Sequence, residues 1–230
     1  MKLTYLTLAA TGNAGKTTIV RHCIAPERGS RILTMESQSP TGEESNPIDS
    51  DALVAHLFAA AEIGAVIDVG VGDVLDALDA LQLISRQDAA IAQRLRIVTP
   101  LLADRKSVQG LAWLMGQLPP KLRPAVRAIW NRIPAGAEDA LRSSDPCRAA
   151  RGLERQHKFR LCGPALHESP LLDPAHPLLS ERGTLEAIAS MPDAEIRSAP
   201  LAEMPTLLAA RDQAQAARAN CQQILVAIDE

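Results

Sequence analysis

The sequence predicts an α/β protein, a mostly parallel sheet covered by helices on both faces. Strand-like apolar runs alternate with helical periodicities along most of the chain, the pattern of βαβ units. Aromatic residues make up only 2% of the chain against 47% hydrophobic residues. The core must therefore be aliphatic, which suits helices layered on a sheet better than an all-β barrel. At 230 residues and 22% charged, the chain has the size and composition of one globular domain, which excludes a disordered chain and a collagen-like repeat.

Taken in order, strands are expected at Leu3 to Ala9, Arg31 to Glu36, Ala65 to Val69, Leu95 to Thr99, Val126 to Trp130 and Phe159 to Cys162. Each is a short apolar run bounded by polar or turn-forming residues. Helical spacing of apolar residues predicts helices over Lys16 to Cys23, Ser50 to Ile63, Val74 to Ser85, Arg105 to Leu118 and Ala137 to Arg155. After Cys162 come Pro164, Pro170, Pro174 and Pro177, which predict an extended loop before helices resume near Thr184 and over Ala202 to Ile228. No internal repeat or low-complexity linker interrupts the chain, so residues 1–230 are expected to form a single domain with a helical C-terminal part from about residue 184.

Cys23, Cys147, Cys162 and Cys221 are scattered, with no pairing at zinc spacing, which points to a reducing cytoplasm rather than a disulfide framework or structural metal. The most apolar stretch, Ala52 to Gly72, is broken by His56, Glu62 and Asp68, so no membrane span is expected. Leu3 to Ala10 is too short an apolar run for a secretory leader and leads directly into a phosphate-loop pattern.

The net charge is only -3, but its distribution is uneven. Between Ile32 and Ser85 there is no Lys or Arg, whereas residues 121–160 carry eight Arg and two Lys, among them Arg127, Arg142, Arg148, Arg151, Arg155 and Lys158. That basic stretch reads either as a solvated helical face or as an electrostatic footprint for DNA.

The strongest signal is Thr11-Gly12-Asn13-Ala14-Gly15-Lys16-Thr17-Thr18, placed between the first strand and the first helix. Small residues there let successive backbone N–H groups turn toward one anion, at the positive end of the helix. Lys16 can reach the β and γ phosphates, and the Thr17 hydroxyl can ligate Mg²⁺. Ala65-Val66-Ile67-Asp68 has the form of the partner strand, ending in a carboxylate at the edge where parallel strands bind ligands. Gly70 follows, with an amide that can face a γ phosphate.

The loop resembles the deviant Walker A loop of ParA and MinD-type ATPases, with Gly12, Gly15, Lys16, Thr17 and Thr18 matching. Thr11 stands where that family has its signature lysine, and Asn13 replaces the second glycine. Together with Ile19-Val20-Arg21-His22, Ala25-Pro26 and Ile32 to Ser37, the loop looks most like the plasmid-stability StbB group. The resemblance implies that the end of the second strand supplies Glu36, near the metal, and Gln38, which can orient a water but cannot accept its proton. It also implies that Asn131 and Arg132 lie beneath the nucleotide base. The absence of an [NT]-K-x-D motif favours ATP over GTP.

The expected function is that of an Mg-ATP-binding nucleotide switch or slow ATPase in the segregation and stability of plasmid or similar mobile DNA. Lys16, Gln38 and Asp68 would be its catalytic residues and Thr17, Glu36 and Asp68 its metal ligands. The expected cofactor-binding set is Gly12, Asn13, Ala14, Gly15, Lys16, Thr17, Thr18, Gly70, Asn131 and Arg132. Expected partners are DNA through residues 121–160, a small DNA-binding protein and a second copy of the chain in a nucleotide-dependent dimer. A membrane is not among them, because the chain ends Ile228-Asp229-Glu230 without a basic amphipathic stripe. The alternatives are a small-molecule kinase or ligase on the same fold and a non-hydrolysing nucleotide-binding adaptor.

Overall fold

The computed structural model describes residues 3–28, 32–35, 53–56, 65–87, 93–173 and 175–230. Strand β1 (Thr4–Thr7) leads through a loop into α1, a continuous helix whose successive segments are Lys16–Thr18, a π-wound Ile19–Ile24, and Ala25–Arg28. Then come β2 (Ile32–Met35), β3 (Val66–Val69), α2 (Val74–Gln87), β4 (Leu95–Leu101), α3 (Arg105–Gln117) and β5 (Val126–Ile133). The remaining elements are α4 (Glu138–Ser143), α5 (Asp145–His157), β6 (Arg160–Leu161), β7 (Leu166–His167), α6 (Pro177–Arg182), α7 (Leu185–Ala189), α8 (Asp193–Ser198) and α9 (Met204–Asp229). Residues 53–56 are helical, and the rest of the helix expected over Ser50 to Ile63 lies outside the described residues.

The strands form one sheet in the order β2-β3-β1-β4-β5-β6, with β7 also on β5, and every pairing is parallel. This is the expected fold class. Strand alternation sends Leu6, Ile67, Ile97 and Ala128 to one face, where they pack with α2, α3 and α5. Tyr5, Val66, Val98 and Ile129 go to the other, under α1 and α9. Because both faces are covered, the strands are rich in buried apolar residues, and each fully buried Leu or Ile contributes about 1.5–3 kcal/mol.

Two expectations about helices need correction. The helix expected over Ala137 to Arg155 is two helices, because Ser144 turns extended (ψ 155°) and its side chain caps the Cys147 amide at 3.3 Å. Pro146, in the first turn of α5, has no N–H to continue the preceding helix. The proline-rich stretch is not simply an extended loop. It contains β7 and a 3₁₀ turn over Pro170–Leu172, and Pro177 opens α6. Proline ends helices but also starts them, since the first-turn N–H groups have no intrahelical partner.

Helix α9 buries Ala210, Ala214, Ala217, Cys221, Ile224 and Ile228, a stripe at intervals of three and four residues. Its last carbonyls meet arginines. The Arg127 Nε donates to the Ile228 carbonyl at 3.1 Å and the Arg96 Nη2 to that of Asp229 at 3.2 Å. Tyr5 donates its hydroxyl proton to Asp229 Oδ1 at 2.6 Å, Arg28 forms an ion pair with the same carboxylate, and Arg160 pairs with Glu230. Cations at the negative end of a helix dipole satisfy orphan carbonyls and charge together.

Candidate functional site

The loop after β1 turns tightly because two of its residues are left-handed, Asn13 at φ 57° and Gly15 at φ 87°, the kind of backbone that forms anion-binding nests. Glycine is required at the second. A Cβ on Gly15 would lie 1.9 Å from the Asn131 Nδ2, which donates to the Ala14 carbonyl at 2.7 Å. The turn leads into α1, where Lys16 is largely buried and Thr17 faces β3.

Parallel pairing of β1 with β3 sets Thr7 beside Asp68, and that register organises the acidic side of the site. Asp68 is only 6% exposed, so its carboxylate needs partners. The Thr7 hydroxyl donates to Oδ1 at 2.6 Å and the Thr17 hydroxyl to Oδ2 at 2.7 Å. The cavity in front has a volume of about 840 Å³. Among the described residues it is lined by Gly12 through Thr18, by the segment from Asp68 to Asp73, and by Arg21, Ile32, Thr34 and Arg132. Lys16, Arg21 and Arg132 give this opening its positive charge, against Asp68 and Asp73.

A second cavity, of about 490 Å³, adjoins the first, since Thr18 and Arg132 line both. Its other walls are Asn131 and the segment of His167 to Pro170 with Leu172 and Asp173. Arg132 sits at a β-bulge in β5 with φ 57°, an unusual conformation for a non-glycine residue. The bulge turns Asn131 inward to the loop and leaves Arg132 exposed at the junction of the cavities. At the lip, the His167 Nε2 meets Glu138 Oε1 at 2.5 Å. A hydrogen bond from its own backbone amide, and then the one from His167, hold the Glu138 carboxyl below its ordinary range.

The structure thus brings together Gly12, Asn13, Ala14, Gly15, Lys16, Thr17, Thr18, Asp68, Gly70 and Arg132 around one cavity. Two of the expected residues make contacts elsewhere in the fold. Asn131 is 2% exposed and its Nδ2 donates to the Ala14 carbonyl, which braces the loop, while the residue also lines the second cavity. Gly70 lines the cavity, but its N–H donates to the Met35 carbonyl at 2.6 Å and is not free for a phosphate. Glu36 and Gln38 lie outside the described residues.

Sequence reasoning missed Thr7, Arg21, Thr34, Asp73 and the whole wall from His167 to Asp173. For Thr7 a signal existed, a polar residue inside an apolar strand run. The basic stretch divides in the structure. Arg127 is buried and Arg160 pairs with Glu230, both serving the end of α9. Arg148, Arg151 and Arg155 stand exposed at intervals of three and four along one face of α5, with Arg148 paired to Asp145, and the exposed Lys158 follows at the helix's left-handed C-cap. No helix among the described residues is long and apolar enough to cross a membrane, and they hold no cluster of three or more His, Cys, Asp or Glu able to hold a metal ion.

No family model matches the chain, and no curated protein does. Among solved structures, that of apo McdA from Cyanthece is similar at 13% identity, with a TM-score of 0.48, covering 94% of this chain and 99% of that one.

Proposed function

We propose that the chain binds Mg-ATP in the cavity before the loop and works as a nucleotide switch or slow ATPase of the ParA/MinD kind, near the StbB group. In this reading it acts in the cytoplasm, in the positioning of plasmid or similar mobile DNA. The observation that carries the nucleotide reading is the 2.7 Å hydrogen bond from Thr17 to Asp68 on the cavity that the glycine-rich loop lines. A hydroxyl and a carboxylate in contact, both hard oxygen donors, fit Mg²⁺. That ion typically takes one or two protein oxygens and completes its shell with phosphates and water. When bound, Mg²⁺ would neutralise charge on the β and γ phosphates.

The chain's own residues do the rest. The backbone amides of the loop donate to phosphate oxygens, Lys16 supplies the fixed cation, and Thr7 holds the Asp68 carboxylate in place. Gln38 would orient the attacking water without taking its proton, and the neutral Thr11 brings no cation to a partner's phosphates. Positioning and electrostatics are nearly all the catalysis open to phosphoryl transfer, so turnover by the protein alone should be slow. A small DNA-binding partner or a nucleotide-dependent dimer would raise it. The exposed basic face of α5 supports DNA contact, which should weaken steeply with salt.

Equilibrium titration of ATP with and without Mg²⁺ tests the reading on wild-type protein and on Asp68→Asn. The wild type should bind ATP more tightly with the metal, and the variant should lose that difference while keeping its melting temperature. Equal affinity with and without Mg²⁺ in the wild type would remove Thr17 and Asp68 from the metal role. Within the same reading, Gln38→Asp should raise basal hydrolysis.

A further inference from the structure

We infer that Asn220, in the middle of α9, is a positioning residue for the nucleoside half of the site. This rests on the nucleotide-binding reading. Asn220 is 7% exposed, and both ends of its amide are engaged with β7 and the residue before it. Its Oδ1 accepts from the His167 N–H at 2.9 Å and its Nδ2 donates to the Ala165 carbonyl at 2.9 Å.

Strand β7 is two residues long, and one of its edges is taken by β5. A strand that short needs a partner on its other edge, because a backbone N–H and C=O left unpaired in the interior are costly. The side chain of Asn220 supplies that partner, one donor and one acceptor in place of a neighbouring strand. The segment it fixes runs directly into the second cavity. His167, Glu168, Ser169, Pro170, Leu172 and Asp173 all line it, and the Glu168 amide is anchored in turn on the Ile133 carbonyl at 2.9 Å.

The two asparagines therefore brace one unit from opposite sides. Asn131 ties β5 to Ala14 of the phosphate loop, and Asn220 ties β7 to α9. The second cavity, which Asn131 lines and the segment held by Asn220 walls, has the size of a small-ligand pocket and opens into the phosphate cavity at Thr18 and Arg132. An occupant anchored by its phosphates on the loop extends its sugar and base along the wall that Asn220 holds. The polyphosphate half of the site makes no use of that wall. Asn220 should then govern affinity for a nucleoside triphosphate and leave affinity for bare polyphosphate unchanged.

The test is paired titration of Mg-ATP and of Mg-tripolyphosphate against wild type, Asn220→Ala and Asn220→Gln, with melting temperatures alongside. Asn220→Gln keeps both amide groups displaced by one methylene and carries the test if the alanine variant does not fold. Loss of two buried hydrogen bonds should weaken ATP binding about tenfold in Asn220→Ala, and less in Asn220→Gln, with tripolyphosphate unchanged within about twofold. Parallel loss of both ligands, or retention of both, would assign Asn220 to stability alone and overturn the inference. A wild type that binds tripolyphosphate and ATP equally would deny the second cavity a nucleoside. A wild type that binds neither would instead overturn the nucleotide reading on which the inference rests.

Discussion

The glycine-containing loop after β1 and the C-terminal third of the chain contribute to neighbouring cavities by opposite means. Between Thr11 and Thr18 the site is built from residues adjacent in sequence, and its geometry follows from small residues, two left-handed turns and one helix start. The wall from His167 to Asp173 is built from contacts across the fold. It is held on β5 and by Asn220, 53 residues further along the chain. Local rules make the first kind of site visible in a sequence. The second kind carries no motif, because nothing in a short proline-rich segment states which helix will return to pair with it.

Substitutions that strike one region and spare the other sharpen this contrast. The largest effect is expected from Gly15→Ala, which forces a side chain to φ 87° and into the Asn131 amide. Backbone strain of about 1–3 kcal/mol adds to the loss of a buried hydrogen bond, and nucleotide binding should vanish with it. Calorimetry and an ATP titration would record both, and a variant of wild-type stability would show that the loop tolerates a Cβ.

Next in size is Ile224→Ala, in the buried stripe of α9. It should destabilise the protein by about 2–5 kcal/mol in denaturant unfolding, while the folded fraction keeps its affinity for polyphosphate. Loss of polyphosphate binding at full folding would mean that the C-terminal region reaches the loop itself. Asn131→Ala lies between the regions, since it leaves the Ala14 carbonyl without its donor. A cost of about 1–3 kcal/mol is expected, together with weaker binding of both ATP and tripolyphosphate. Weakening confined to ATP would assign Asn131 to the base.

The smallest effect concerns pH. His22, on the π-wound part of α1, is held below its ordinary pKa by burial, with Arg21 adding to the effect. The folded state thus prefers the neutral ring, while the unfolded chain takes up a proton near pH 6.5. Below that value unfolding gains a proton, so stability should fall until the folded-state pKa is reached and no further. Denaturation midpoints between pH 7.5 and 5.5 should decline in the wild type and stay flatter in His22→Leu. Equal slopes would place the titration elsewhere.

The strand order could not be read directly, yet all six expected strands are present, because each is a short apolar run that a two-sided parallel sheet demands. The loop and Asp68 were legible for the same reason, as sequence-local signals with a chemical rationale. The contacts of Asn131 and Gly70 carry no local signal, because each is made with another part of the chain, Ala14 in one case and Met35 in the other. Ser144 and Pro146 carried the signal that α4 and α5 are separate, and the apolar spacing of Leu141, Cys147 and Ala150 ran across it. Arg127 looked like part of a basic surface, but its burial under the end of α9 appears only once residue 228 is in place.

If the loop after β1 holds the phosphates of a nucleotide as proposed, titration of Mg-ATP against wild type and Lys16→Ala will show it. Lys16 is nearly buried at the start of α1, and its removal deletes the loop's fixed cation. The variant should fold and bind Mg-ATP more weakly by about 100-fold or more, the worth of charge-assisted contacts to phosphate. Equal affinity of the two proteins for Mg-ATP would contradict it.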